Sequence, residues 1–520
     1  MAQTPAVASG PRGRSSGPGA GRARGVTGAG RRLGPLGPLA VVAGAYTLIQ
    51  LAFALPGSGL GWDETVYVSQ VGRDAEAAFF SAPRARGITF LIAPVTALTT
   101  SVEALRVFLA LLSGAGLFLA LRVWRRLLPV PVLALAGALF AGLWITVFYG
   151  PRVMPNLWVA LGALFTVGCF LRAARERSDR AALAGVGAGL AFVALMRPGD
   201  ACWLALPLAG AALLVRSWRR PALVLVVAGG VALGCAEWVV EAYVSHGGLL
   251  ARLRRADEIQ GNLGWQPAFG HQLRSLDGRL LCRPCDVPWR QPLTAVWWFL
   301  VPPLTAGGVL AAVRLRRTAV VLLPALAGLT LAVPYLLLIG YGAARFLLPA
   351  YALLALPAAL CLTWIGRAAR PRRPVVAALA AVLAAHLAVQ YTVLDGASAR
   401  SRISRTAFGR AAAELHRQGV GPPCVISGAE AVRIAFRTGC ASRQTGGHDA
   451  SVTPAGLAAL ARGRPVAVVV TDGNAPPAYA RHWRLHRLPE LPGLRDCRAY
   501  LSPSARPVRD AHEGGRAAHP

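Results

Sequence analysis

Two adjacent carboxylates, Asp63 and Glu64, stand between Trp62 and Tyr67 in the stretch Gly61-Trp-Asp-Glu-Thr-Val-Tyr-Val-Ser-Gln70. A carboxylate at a water–lipid boundary, partly desolvated by such aromatics, would have its pKa raised and could take a proton from an acceptor hydroxyl. The same acids could hold a divalent metal, or simply open a solvated loop flanked by interfacial aromatics. Arginines at Arg84, Arg86, Arg152, Arg197 and Arg345 supply the complementary chemistry. A guanidinium donates two aligned hydrogen bonds to a phosphate and is always charged. Arg345 lies in Tyr341-Gly-Ala-Ala-Arg-Phe-Leu-Leu-Pro349; its alternative reading is a side chain snorkelling to the interface.

Other charged positions have simpler readings. Arg197 and Asp200 flank Pro198-Gly199, where a charge pair at membrane depth either neutralises itself or binds something. Glu237 and Glu241 share a helix face and either line a cavity or mark the helix end. His271 lacks company at metal-ligand spacing, and Gly446-Gly-His-Asp449 reads as a turn. Cys282-Arg-Pro-Cys285 has no second CxxC, which favours a disulfide over zinc, and Cys424 with Cys440 is the expected bridge in the tail.

The elements that must position these residues are membrane helices. The chain is 55% hydrophobic and only 15% charged, with a mean hydropathy of +0.48, too apolar for a soluble domain of this size. Its formal charge of +32 falls in arginine clusters between apolar runs, a topology signal that gives no support for nucleic acid. A bilayer core of about 30 Å takes ~20 apolar residues. On that rule eleven spans fall near 36–55, 104–121, 130–149, 155–171, 182–196, 201–215, 222–240, 293–313, 319–339, 346–365 and 375–394.

Alternate loops then carry Arg122/Arg125/Arg126, Arg172/Arg175/Arg177/Arg180, Arg216/Arg219/Arg220, Arg314/Arg316/Arg317 and Arg367/Arg370/Arg372/Arg373. The positive-inside rule places the N-terminus in the cytoplasm and the C-terminus outside, in a multi-pass plasma-membrane protein. Residues 1–34 read as a disordered basic leader and 35–394 as the membrane domain, with outer loops at 56–103 and 241–292. The apolar run from Ile88 to Leu98 is short for a span and reads as interfacial or re-entrant. Alternating helix and strand patterns make 395–502 a small extracytoplasmic α/β domain, and 503–520 a disordered end.

The order of an apolar first helix, an outer Trp62-Asp-Glu-x-x-Tyr67, Arg84-Ala-Arg86-Gly87, an interfacial helix and Glu103-Ala-Leu-Arg106 resembles the glycosyltransferase C superfamily, the protein mannosyltransferase and aminoarabinose transferase group. That resemblance covers about Leu36 to Leu394 and implies an all-α bundle of about eleven membrane helices with an outward active site. It implies a polyprenyl-phosphate sugar as donor, membrane lipid around it, and an extracytoplasmic acceptor. By the same match Asp63 is the catalytic base, Glu64 a second acid orienting acceptor or metal, and Arg345 the late-loop arginine beside the carrier phosphate. Trp62, Tyr67, Arg84, Arg86, Asn156, Arg197 and Tyr341 complete the expected substrate-binding set. Asn156 stands where members of the group often have an acid, so no second base is expected there. A transporter or flippase is the competing class, and a non-catalytic scaffold with a partner-binding tail is the third.

Overall fold

The computed structural model describes residues 34, 36–73, 75–283, 285, 288–289, 291–369 and 373–507. The leader (34 apart), Arg370, Arg372 and the chain from 508 onward lie outside them, as do the expectations for those segments. Residues from Pro35 onward form one compact unit.

The membrane part begins with α1 (Gly37–Ile49), prolonged by a π turn over Gln50–Ala54. There follow α2 (Trp62–Ser69), α3 (Gly87–Thr96), α4 (Val102–Val123), α5 (Val130–Ala141), α6 (Trp144–Tyr149) and α7 (Pro155–Arg175). Next come α8 (Arg180–Met196), α9 (Pro198–Leu214), α10 (Pro221–Ser245), α11 (Leu249–Gln260) and α12 (Phe269–Ser275). The last helices of the bundle are α13 (Val296–Arg314), α14 (Thr318–Val333), α15 (Leu348–Ala369) and α16 (Arg373–Arg417).

All eleven expected spans are helical. Among the described residues eight helices are long and apolar enough to cross a bilayer; α5, α8 and α9, at 12, 17 and 17 residues, are shorter. Local chemistry accounts for the interruptions. Leu143 is extended, which splits the third expected span into α5 and α6, and the freed Trp144 N–H donates to Gln390 Oε1 on α16 at 2.9 Å. Arg197 is extended because it precedes Pro198, a position where a proline ring excludes helical backbone, so α8 and α9 meet at a corner. Pro155, Pro198 and Pro221 each open a helix, where a missing N–H costs nothing.

The core is centred on α7 and the Ala344–Ala368 segment, most of whose residues are buried, whereas few residues in the apolar part of α16 are buried and it lies on the rim. Helix α7 packs on α4, α8 and α15. The short α3 fits against the end of α8 so closely that a Cβ on Gly87 would stand 2.5 Å from the Leu195 carbonyl oxygen.

Helix α16 runs unbroken for 45 residues through the boundary expected at 394/395, so bundle and tail share one helix. Beyond it lie β1 (Val425–Gly428), α17 (Ala431–Thr438), β2 (Ala441–Ser442), α18 (Pro454–Gly463), β3 (Val466–Val470), β4 (Arg484–Arg487) and β5 (Arg498–Leu501). The sheet order is β2-β1-β3-β5-β4, with β2, β1 and β3 parallel and β5 antiparallel to β3 and β4. Successive residues of β3 face opposite cores, Ala467 and Val469 one and Val466, Val468 and Val470 the other. The bridge expected between Cys424 and Cys440 is present, and Cys282, for which the spacing left a local or a long-range partner open, bonds to Cys285.

Candidate active site

Helix α2 separates the two carboxylates. Gly61 is extended and α2 begins at Trp62, which puts Glu64 in the third helical position, where its Oε2 reaches back to accept from the Gly61 N–H at 2.9 Å. Its remaining capacity is taken by Val153 N–H (2.8 Å to Oε1), Arg152 Nη1 (3.1 Å to Oε2) and a bidentate Arg106, whose Nη2 lies 2.9 Å from Oε2. Arg106 also donates to the Gly59 and Pro151 carbonyls, both at 2.8 Å. Burial raises the Glu64 pKa, but the Arg106 and Arg152 guanidiniums outweigh it and bring it down to about 2. At 2% exposure Glu64 is a buried anchor tying α2 to α4 and to the loop before α7. Expected to orient acceptor or metal, Glu64 instead has both carboxylate oxygens taken up by arginines and backbone N–H groups.

One residue earlier, Asp63 keeps 32% of its side chain exposed. Its Oδ1 is 2.8 Å from Arg84 Nη2 and its Oδ2 is 3.0 Å from Arg345 Nη2. These two contacts reverse the pKa expected from Trp62 and Tyr67. Desolvation does push the Asp63 pKa up, yet the two guanidiniums hold it below the usual carboxylate value. Arg84 is itself set by Ser81 Oγ at 3.0 Å and lies over Trp62 and Tyr67, 5.4 and 5.2 Å from their ring centres. Arg345 precedes α15, donates from Nη1 to the Leu280 carbonyl at 2.9 Å and meets the Tyr149 hydroxyl.

Arg197, at the α8–α9 corner, pairs with Asp200 at 3.2 Å and lies over Tyr335 and Phe346, 5.4 and 5.7 Å from their centres. The Tyr335 hydroxyl donates to the other Asp200 oxygen, and Phe346 is shared between Arg197 and Arg345, the latter 5.3 Å from its ring centre. Tyr341 packs edge-on against Phe346 and carries Arg283 over its ring at 4.6 Å. Trp62, Asp63, Tyr67, Arg84, Arg197, Tyr341 and Arg345 therefore form one cluster, assembled from the first outer loop, the α8–α9 corner and the turn before α15.

Two expected members stand apart. Arg86 turns to α10, with Nε 2.7 Å from Glu241 Oε1 and 3.6 Å from Glu237, and packs on Phe80 at 4.5 Å. Glu241 is shared with the fully buried Arg252 of α11 at 2.7 Å, so this one glutamate ties the first and second outer loops together. Asn156 is 1% exposed and makes no hydrogen bond to the cluster, its Oδ1 and Nδ2 both lacking a partner among the described residues.

Tyr149, Arg106 and Arg252 were missing from the sequence-based site. An arginine inside a span must find an acid, which was the available signal for Arg106; Tyr149 and Arg252 carried none. Among the described residues no group of three or more His, Cys, Asp or Glu gathers to hold a metal. A divalent cation would meet, at Asp63, a single carboxylate already faced by two guanidiniums.

Comparison with known proteins places this geometry in a known fold. No protein-family model matches the chain, and no curated protein matches it. Among solved structures, ArnT from Cupriavidus metallidurans bound to undecaprenyl phosphate superposes with a TM-score of 0.62 at 14% identity, covering 90% of this chain and 99% of that one. Its apo state gives 0.61 at 14% identity over the same shares. The Archaeoglobus fulgidus oligosaccharyltransferase tethered with an acceptor peptide gives 0.50 at 13% identity, covering 83% of this chain and 69% of that one. The chain therefore shares the fold of these solved structures over most of its length.

Proposed function

We propose that this protein is a plasma-membrane glycosyltransferase that moves a sugar from a polyprenyl-phosphate donor to an extracytoplasmic acceptor hydroxyl. The observation that carries the reading is the Asp63–Arg345 pair at 3.0 Å, which joins residues 282 positions apart. The arginine-rich loops argue for the leader inside and the tail outside, which puts that pair on the outer face.

The chemistry follows from the charges. In the free protein Arg84 and Arg345 hold the Asp63 carboxylate between them. An incoming donor phosphate competes for both guanidiniums, for which Arg84 has aromatic support and Arg345 a carbonyl to fix its orientation. Released from its partners in a dehydrated cleft, Asp63 gains proton affinity and becomes a competent base. The acceptor oxygen attacks the anomeric carbon and its proton passes to Asp63. The bond from that carbon to the phosphate oxygen breaks, and the electron pair leaves with the lipid phosphate, whose new charge Arg84 and Arg345 take up. Glu64 fixes the start of α2 so that Asp63 points correctly. The fold of the undecaprenyl-phosphate-bound ArnT supports a carrier of this class, with the sugar and acceptor left to experiment.

The test uses the full chain in lipid nanodiscs with undecaprenyl-phosphate-linked glucose, mannose and arabinose as a donor panel, reading release of undecaprenyl phosphate. Turnover of at least one donor is expected, with kcat/KM lowered about a hundred-fold by Arg345→Ala. No turnover of any donor, or an Arg345→Ala variant equal to the parent, would reject the assignment.

A further inference from the structure

The tail domain carries a groove of its own, separate from the cluster around Asp63. It has a volume of about 860 Å³ and lies between α16 and the 489–495 stretch of the connection from β4 to β5, with Arg402, Ile403, Arg410, Glu490, Leu491 and Arg495 among its walls. Both walls are fixed. Leu491 is buried in the same core as Phe408 and Ala411 of α16, and its carbonyl accepts from the Leu494 N–H at 3.0 Å. Asp472 holds the Arg495 backbone from both sides, its N–H donating to the Arg495 carbonyl at 2.6 Å and its Oδ1 accepting from the Arg495 N–H at 3.0 Å. Arg402 and Arg410 lie eight positions apart on one side of α16, about 12 Å along its axis. Arg402 has only a loose ion pair, with Asp395 at 3.9 Å. The guanidiniums of Arg410 and Arg495 have no hydrogen bond or ion pair among the described residues. Glu490 is the single acid among the described wall residues, against these three arginines.

We propose that this groove binds an anionic saccharide chain, the acceptor strand of the transferase. The inference rests on the transferase reading. Guanidiniums about 12 Å apart are too far from each other for one carboxylate or phosphate to bridge, and they suit a chain that carries charge on successive repeats. Ile403 and Leu491 between them offer apolar surface to the C–H faces of sugar rings. A lipid headgroup fits less well. Helix α16 carries Arg402 and Arg410 about 12 and 24 Å along its axis past Leu394, where the outer edge of the bilayer core is expected. The groove also adjoins the first outer loop. A Cβ on Gly57 would stand 3.3 Å from the Arg402 side chain, and the neighbouring Ser401 accepts at 3.1 Å from Arg152, which holds Glu64. A long acceptor bound here is kept on the outer face beside that loop, which raises the effective concentration of its end.

Binding of hexagalacturonate to the full chain in phosphatidylcholine nanodiscs tests this, with maltohexaose as the neutral chain of equal length and hexaglutamate as the acidic peptide. Hexagalacturonate should bind, more weakly as salt is raised, and maltohexaose should not. Arg410→Ala and Arg495→Ala should each weaken binding about five-fold at an unchanged Tm, whereas Arg487→Ala, on β4, should leave it unchanged. No binding of hexagalacturonate, equal binding of maltohexaose or hexaglutamate, parental affinity in both groove variants, or displacement by phosphatidylglycerol added to the nanodisc would each overturn the proposal; donor turnover alongside any of these leaves the transferase reading standing. If hexagalacturonate binds through both arginines but no donor of the panel turns over, the groove stands as a glycan site and its assignment to the acceptor falls with the transferase reading.

Discussion

Asp63 and Glu64 differ by one position and by almost everything else. The third position of α2 lets Glu64 turn back on the helix start and bury itself among Arg106, Arg152 and two backbone N–H groups. Removing its charge leaves Arg106 and Arg152 buried without an anion, so Glu64→Gln should destabilise the protein by about 3–5 kcal/mol, read as a fall in Tm of the solubilised chain. The pH dependence has a definite sign. A carboxyl whose folded pKa is depressed to about 2 contributes stability that is fully present above its unfolded value and is lost as pH falls through about 2. The parent should therefore lose more Tm than Glu64→Gln as pH is lowered from 5 toward 2. Adjacent carboxylates could not be told apart as composition, only by where the helix begins. Asp63 and Arg345 were legible as separate motifs on the outer face, and the fold brings them into contact. The expected rise in the Asp63 pKa failed because sequence spacing does not show that two guanidiniums converge on one carboxylate.

At the scale of elements, α3 shows how backbone contact positions the cleft. Its first residue lies against the end of α8, and Gly87→Ala would force a Cβ to 2.5 Å from the Leu195 carbonyl and 2.8 Å from the Met196 nitrogen. The variant should lose about 1–3 kcal/mol, and with α3 shifted the Arg84–Arg86 segment should bind undecaprenyl phosphate more weakly, as a titration in nanodiscs would show. The helices themselves were readable because twenty apolar residues in a row have few alternatives. The continuity of α16 was not. An arginine-rich stretch from Asp395 onward reads as a change of domain, yet Ala and Arg are good helix formers and carry the same helix into the tail. The edge strand Arg484–Arg487 was also missed, since four residues of mixed polarity leave no alternation to detect.

For the whole molecule, the account requires that the cleft, the Cys424–Cys440 bridge and the tail share the outer face, with the Arg172–Arg180 loop opposite. In intact cells a membrane-impermeant thiol reagent should label Asn474→Cys on the tail, and should label Ser178→Cys only after permeabilisation. The reverse pattern would move the cleft to the cytoplasmic side and remove the outer acceptor.

The central claim, that Asp63 takes the acceptor proton at a cleft whose arginines grip the carrier phosphate, is tested most directly by turnover of Asp63→Asn with the donor that the parent uses. The amide keeps the shape and removes the base, so kcat should fall by at least about a hundred-fold, while undecaprenyl phosphate still binds and Tm stays close to the parent's. A folded Asp63→Asn variant that turns over at the parental rate would contradict the account.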